Sequence, residues 1–169
     1  DLGFDVFRLN LRDHGDTHHL NAGAFNGSLI REVYEAVRQA ALRSRGPVFA
    51  AGFSLGGNFA LRIALRHSLI REKIPRLTHV IAVSPAINPH DSTLRMDAHA
   101  FYGRYFRRKW TQSLRRKEQA FTERYTVDEV LKAKTVMAMT DYVIPRYTEF
   151  SNAIEYFKTY TLLDLRKVK

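Results

Sequence analysis

The sequence contains no cysteine. That absence excludes disulfides, thiolate metal sites and a cysteine nucleophile. It also suits a reducing compartment, so a cytoplasmic location is the expectation. No apolar run approaches the ~18–20 residues that a membrane-spanning helix requires. Residue 1 is Asp, no secretory signal follows it, and the final Arg166-Lys167-Val168-Lys169 has no tail-like composition. Both ends therefore read as cut from a longer protein. Internal repeats and low-complexity tracts are missing as well. Acidic residues are scarce: 17 Asp and Glu stand against 27 Lys and Arg, a net charge of +10. Such an excess can serve nucleic acid, an anionic membrane or an acidic substrate. Its distribution matters more than its sum, and residues 101–118 carry seven bases and one acid.

What is present is the pattern of a single α/β domain of 169 residues. Residues 4–11, FDVFRLNL, read as a strand, and RDHGD at 12–16 as a polar loop. Ser28 is a plausible N-cap for a helix carrying Leu29, Ile30, Val33, Tyr34, Val37, Ala40 and Ala41 at helical spacing, which Gly46-Pro47 stops. VFAAGF at 48–53 is a short, wholly apolar strand of the kind buried in a parallel sheet. A helix with Phe59, Ala60, Ile63 and Ala64 follows, ending near His67, and LTHVIAV at 77–83 is a further strand. The alternation predicts three parallel strands joined by right-handed crossovers. After Pro85 the character changes. Residues 86–97 read as a loop, 97–121 as a helix, Thr126 and Glu129 as the capping box of another, and 148–160 as one more. The expected organisation is a core at 1–84 and a helical cap at 85–169.

Within this frame, Gly52-Phe53-Ser54-Leu55-Gly56 matches G-x-S-x-G. Five residues match by chance often enough that context decides. The motif requires a strand before it, a sharp turn at the serine and a helix after it, and all three are expected here. The turn holds the serine in a strained conformation, so its neighbours must be small. Gly52 and Gly56 supply that, and Gly57 lets the helix approach closely. The Leu55 N–H then points to where an oxyanion would form, at the positive end of the helix.

Together with Phe7-Arg8-Leu9-Asn10-Leu11-Arg12, Gly15-Asp16-Thr17, the Gly52–Asn58 run and the stretch from Tyr147 to Leu165, the sequence resembles the α/β-hydrolase superfamily, and most closely its YheT-like branch of predicted esterases. The resemblance covers most of the chain. It implies a partial α/β-hydrolase fold, a parallel sheet with a helical cap inserted after the sixth strand, and a serine hydrolase of carboxylic esters with a small acyl ester as substrate. Ser54 would be the nucleophile and Leu55 an oxyanion donor, and no cofactor or metal would be required. One departure is Asp13, where this branch usually has Gly.

A serine of this kind needs a histidine to take its proton and an acid to orient the histidine. In this fold the chain order is Ser, acid, His. The resemblance implies an acid after the strand that follows the cap and a histidine after the last strand. By this reading neither lies in the chain, nor does the second oxyanion donor, which belongs to a strand before Asp1. Losing one such donor costs about 10²- to 10³-fold in rate. The chain alone is therefore expected to be inactive. His67 is expected to point away from Ser54, and His79 to pack within a strand. His90 and Asp91, near the catalytic edge of the sheet, and His99 are the remaining internal candidates.

Other clusters have simpler readings. Asp13, His14, Asp16, His18 and His19 could hold a metal, but their spacing matches no specific signature and a polar loop is the expectation. The basic segment 104–117, with Tyr105, Phe106 and Trp110, could meet nucleic acid, or anionic lipid and acyl chains as a peripheral membrane contact. No nucleic-acid fold signature supports the first, and no nucleic-acid partner is expected. The simplest reading is a solvated helix face with its aromatics turned inward. Asp141 and Glu149 are not at any recognisable paired-carboxylate spacing. Two rival functions remain: a non-catalytic binding protein on the same fold, and an acyltransferase or thioesterase using the same serine.

Overall fold

The structure is a computed structural model that describes residues 3–162. The chain is an α/β protein, and its backbone contacts divide it into two units. One comprises residues 3–10 and Leu29–Ala86, the other Leu11–Ser28 and residues 87–162. The linear division at residue 84 therefore differs from the spatial one chiefly in residues 11–28, which fold with the helical unit.

In the first unit, helix α1 (Ile30–Arg43) buries Val33, Tyr34 and Ala41 on one stripe, as the spacing requires. It starts one residue later than expected, with Leu29 at the N-cap. Ser28 does not cap it, because its backbone N–H and its hydroxyl both turn to Asn26 Oδ1. Strand β1 (Val48–Phe53) runs parallel to β2 (Leu77–Val83), with Phe53 opposite Val83 at the C-terminal end. The crossover between them is α2 (Leu55–Leu69), which buries Phe59, Ala60 and Ile63. Its far end is anchored by His67, whose Nδ1 accepts the Ile74 N–H at 3.1 Å, while the Tyr34 hydroxyl donates to Glu72 O at 3.0 Å.

Residues 4–11 form no strand, so the described sheet has two strands rather than three. Alternation along a segment is a local property, whereas a ladder needs a neighbouring edge to take its N–H and C=O groups. Here Phe4 and Phe7 are 65% and 61% exposed, and Phe4 only touches Phe49 edge-on at 6.0 Å.

In the second unit the expected loop at 86–97 is largely helical. Helix α3 spans Pro89–Ala98, with Asn88 Oδ1 accepting the Asp91 N–H and Pro89 in the first turn. An Asn N-cap followed by Pro is a strong start signal, because Pro lacks the donor that would be orphaned there anyway. Helix α4 (Ala100–Ala120) follows after a break at His99.

The capping box at Thr126 and Glu129 does not open a helix. Tyr147 Oη brackets Thr126, accepting its N–H at 3.2 Å and donating to its carbonyl at 2.7 Å. Glu118 Oε1 takes the next N–H, that of Val127. Only a 3₁₀ turn at Val130–Lys132 forms. Helix α5 begins later, at Val136–Tyr147, where Thr135 Oγ1 and the Asp97 carboxylate satisfy the N–H groups of Ala138, Val136 and Met137. The last helix, α6 (Ala153–Lys158), is shorter than the expected 148–160, because Asn152 caps it and the α5 end occupies Thr148. Leu114, Val127, Val130, Met139 and Val143 form one buried apolar cluster of this unit.

Candidate active site

Ser54 stands between β1 and α2 with φ 50° and ψ −116°, a conformation that L-residues rarely adopt. Holding a non-glycine residue there costs on the order of 1–3 kcal/mol. Three backbone hydrogen bonds impose it. The Ser54 N–H donates to Val83 O at 3.0 Å, and the Ser54 carbonyl accepts from Asn58 N at 3.0 Å and Ala86 N at 3.1 Å. The serine is thus gripped from its own helix and from the segment leaving β2. That segment is itself bent sharply, with Ser84 at φ 45°.

Close packing makes Gly52 obligatory. A Cβ on Gly52 would lie 2.1 Å from the Gly56 carbonyl oxygen. Gly57 is tight to a lesser degree, its notional Cβ meeting Pro85 at 3.1 Å, a contact that a small shift would relieve. Gly56 corrects the sequence reading: a Cβ there meets nothing within 4 Å, so its smallness is not what lets the turn form. The close approach is made by the Gly56 carbonyl, which any residue would carry.

Asn58 is a residue that the sequence reading did not single out for a role. It is completely buried on the apolar face of α2, and its Nδ2 donates to Ala86 O at 2.9 Å. Ala86 N–H in turn donates to Ser54 O, so Asn58 ties the β2 exit to the serine turn through both backbone and side chain. The signal was a polar residue beside Phe59 and Ala60, one turn after Ser54.

The Ser54 side chain contrasts with this backbone. Ser54 is exposed, and its Oγ makes no hydrogen bond among the described residues. Leu55 is the first residue of α2, so its N–H belongs to the turn in which backbone donors lack helical acceptors. A partly negative oxygen above Ser54 would meet this donor and the positive helix end.

The internal histidines are engaged elsewhere. His67 closes the far end of α2, and burial holds its pKa below the ordinary value. His79 stacks on Phe49 at 5.4 Å, and His90 meets the Phe157 ring edge at 5.5 Å. Asp91 pairs with Arg95 at 2.8 Å, and His99 lies against Tyr102. Asp141 and Glu149 are exposed on the second unit.

The loop at 12–19 is organised by α4. Asp13 adopts φ 58°, a backbone conformation natural to the Gly usual in the resembling branch and tolerated by Asp. Its Oδ1 pairs with the buried Lys117 Nζ at 2.7 Å, and its Oδ2 accepts Phe25 N–H at 2.7 Å. Lys117 also donates to the carbonyls of His18 and Asn21. His18 Nε2 meets Ser113 Oγ at 2.9 Å, and burial lowers its pKa. His14 Nδ1 lies 2.8 Å from Arg12 O. Among the described residues no group of three His, Asp or Glu could hold a metal ion. No described helix is long and apolar enough to cross a membrane.

Comparison with known proteins gives one match and two blanks. Neither the curated proteins nor the solved structures yield a match. The family model described as alpha/beta hydrolase fold matches residues 1–166. That match spans both the strained serine turn and the helical unit, and the chain accordingly belongs to the alpha/beta hydrolase fold family.

Proposed function

We propose that this chain carries the nucleophile-bearing portion of a serine hydrolase of carboxylic esters, of the YheT-like kind, acting in the cytoplasm on small acyl esters. The observation that carries the reading is the Ser54 turn: a strained backbone fixed by three hydrogen bonds, with a free and exposed hydroxyl. Strain of this sort persists where the surrounding structure imposes it, and it clusters at sites that present a group for chemistry.

In the proposed reaction Ser54 Oγ attacks the acyl carbonyl and passes its proton to a histidine. The tetrahedral oxyanion forms against the Leu55 N–H. Collapse expels the alcohol and leaves an acyl-serine, which water then cleaves with the same histidine as base. On this reading the histidine is none of His67, His79, His90 and His99, which are engaged elsewhere among the described residues, and the 169-residue chain alone is expected to be inert.

Hydrolysis of a short-chain p-nitrophenyl ester tests this. The product of the gene's full open reading frame should turn over, Ser54→Ala should abolish turnover, and the present chain should show none. Turnover that survives Ser54→Ala would reject the reading. The unpartnered Ser54 Oγ also favours one second reading, a non-catalytic binding protein. Turnover absent from the full product would move that reading ahead.

A further inference from the structure

Of the aromatics of α4 that the simplest reading of the sequence turns inward, Trp110 does so, but Tyr105 and Phe106 do not. Phe101 is 68% exposed, Tyr105 48% and Phe106 42%. They form a continuous patch: Phe101 stacks with Tyr105 at 6.5 Å, and Tyr105 meets Phe106 edge-on at 5.3 Å. The inward face is a different set. Leu114 and Lys117 are buried, and Trp110 packs on the core. Positions 101, 105, 108, 112 and 115 follow steps of four and three, so they share one side of the helix, opposite 110, 114 and 117.

Cations sit in and around this outward patch. Arg104, Arg108 and Lys109 are exposed and make no ion pair among the described residues. Lys109 Nζ lies 5.9 Å from the Tyr105 ring. Arg115 on the same side is exposed as well, whereas Arg107 holds Lys134 O, Arg116 faces Asp16, and Lys117 is buried against Asp13. No acid occurs between residues 98 and 117.

We propose that the outward face of α4 docks on an anionic lipid surface. The rings would lie at the headgroup boundary, and the unpaired cations would meet lipid phosphates and carboxylates. Contiguous exposed rings among cations suit a bilayer boundary, where one side of each group is apolar and the other wet. A groove of nucleic acid would call for the cations without a joined apolar patch. The docking does not depend on Ser54.

The test is co-sedimentation of the 169-residue chain with phosphatidylcholine vesicles and with vesicles containing about one-third phosphatidylserine. A protein-alone control corrects for aggregation, and circular dichroism checks folding. Binding is expected only to the anionic vesicles and should weaken as salt rises. The triple change Arg104→Ala, Arg108→Ala, Lys109→Ala should lower partitioning about 100-fold, at about fivefold per base removed. The pair Phe101→Ser and Tyr105→Ser should lower it about tenfold or more with all charges kept.

No binding to anionic vesicles by the folded chain would overturn the proposal. So would binding that both variants retain. Binding lost with the cations but untouched by the ring changes, and matched by binding to a DNA duplex, would assign the patch to nucleic acid instead.

Discussion

Asp13 and Ser54, two of the four non-glycine residues at positive φ among the described residues, spend their polar groups differently. At Asp13, φ 58°, every polar atom of the carboxylate is engaged, by Lys117 and by the Phe25 N–H. At Ser54, φ 50°, backbone groups carry the load, and the hydroxyl makes no hydrogen bond among the described residues. The first loop is much richer in residues that could act as ligands or bases. Helix α4 occupies two of them, with Ser113 meeting His18 and Lys117 taking Asp13, while His14 turns back to Arg12 O. Reactive residue types thus locate a functional site only after their hydrogen-bond partners have been counted.

The sharpest way to break the first turn is Lys117→Ala. It leaves Asp13 buried without its cation and should cost about 3–5 kcal/mol, read from urea unfolding. Swapping both partners for apolar residues should cost much less.

At the second turn the largest effect should come from Gly52→Ala, at least about 3 kcal/mol, because its methyl meets backbone rather than a movable side chain. Gly56→Ala should fall within about 0.5 kcal/mol of wild type, since its methyl meets open space and alanine favours the helix. Equal losses at the two glycines would refute the geometry described for the serine turn.

A matched pair of substitutions compares the turns directly. Ser54→Gly should stabilise by about 1 kcal/mol, since glycine takes a φ of 50° without strain. Asp13→Gly relieves similar strain but strands Lys117, so it should destabilise by about 2 kcal/mol or more. Thermal midpoints moving in the same direction would erase the distinction.

The smallest effect concerns pH. Burial holds His67 and His18 below the ordinary 6.5. The unfolded chain therefore binds more protons than the folded one as pH falls through that value. Their stabilising contribution should be complete above about pH 7 and decline from there toward pH 5. His67→Asn, which keeps an acceptor for Ile74 N–H, should flatten part of that slope in denaturant titrations at several pH values.

These particulars also show what could be read from the sequence and what could not. β1, β2, α1 and α2 were legible because apolar runs and helical spacing are local. So was the Ser54 turn, whose strand–turn–helix context is contiguous. The helix at Pro89–Ala98 is legible in principle through Asn88-Pro89, although the polar composition of 86–97 reads as loop. The other misses depended on distant parts of the chain. Residues 4–11 alternate like a strand but lack an edge to pair with in the described residues. Gly56 looked as constrained as Gly52, yet which glycine faces a wall is settled only by packing. The two faces of α4 both carry aromatics, so spacing alone did not say which face, Trp110 or Tyr105, turns inward. Asn58 read as an ordinary helix residue until its partner, Ala86 O, came from the far side of β2.

The most direct test of the central claim is to treat the full open reading frame product with a fluorophosphonate and sequence the tryptic peptide spanning residues 46–62 by mass spectrometry. The account predicts a single phosphonyl adduct on Ser54, absent from the Ser54→Ala protein and from the 169-residue chain. An adduct on another residue, or none on a folded full-length product, would contradict it.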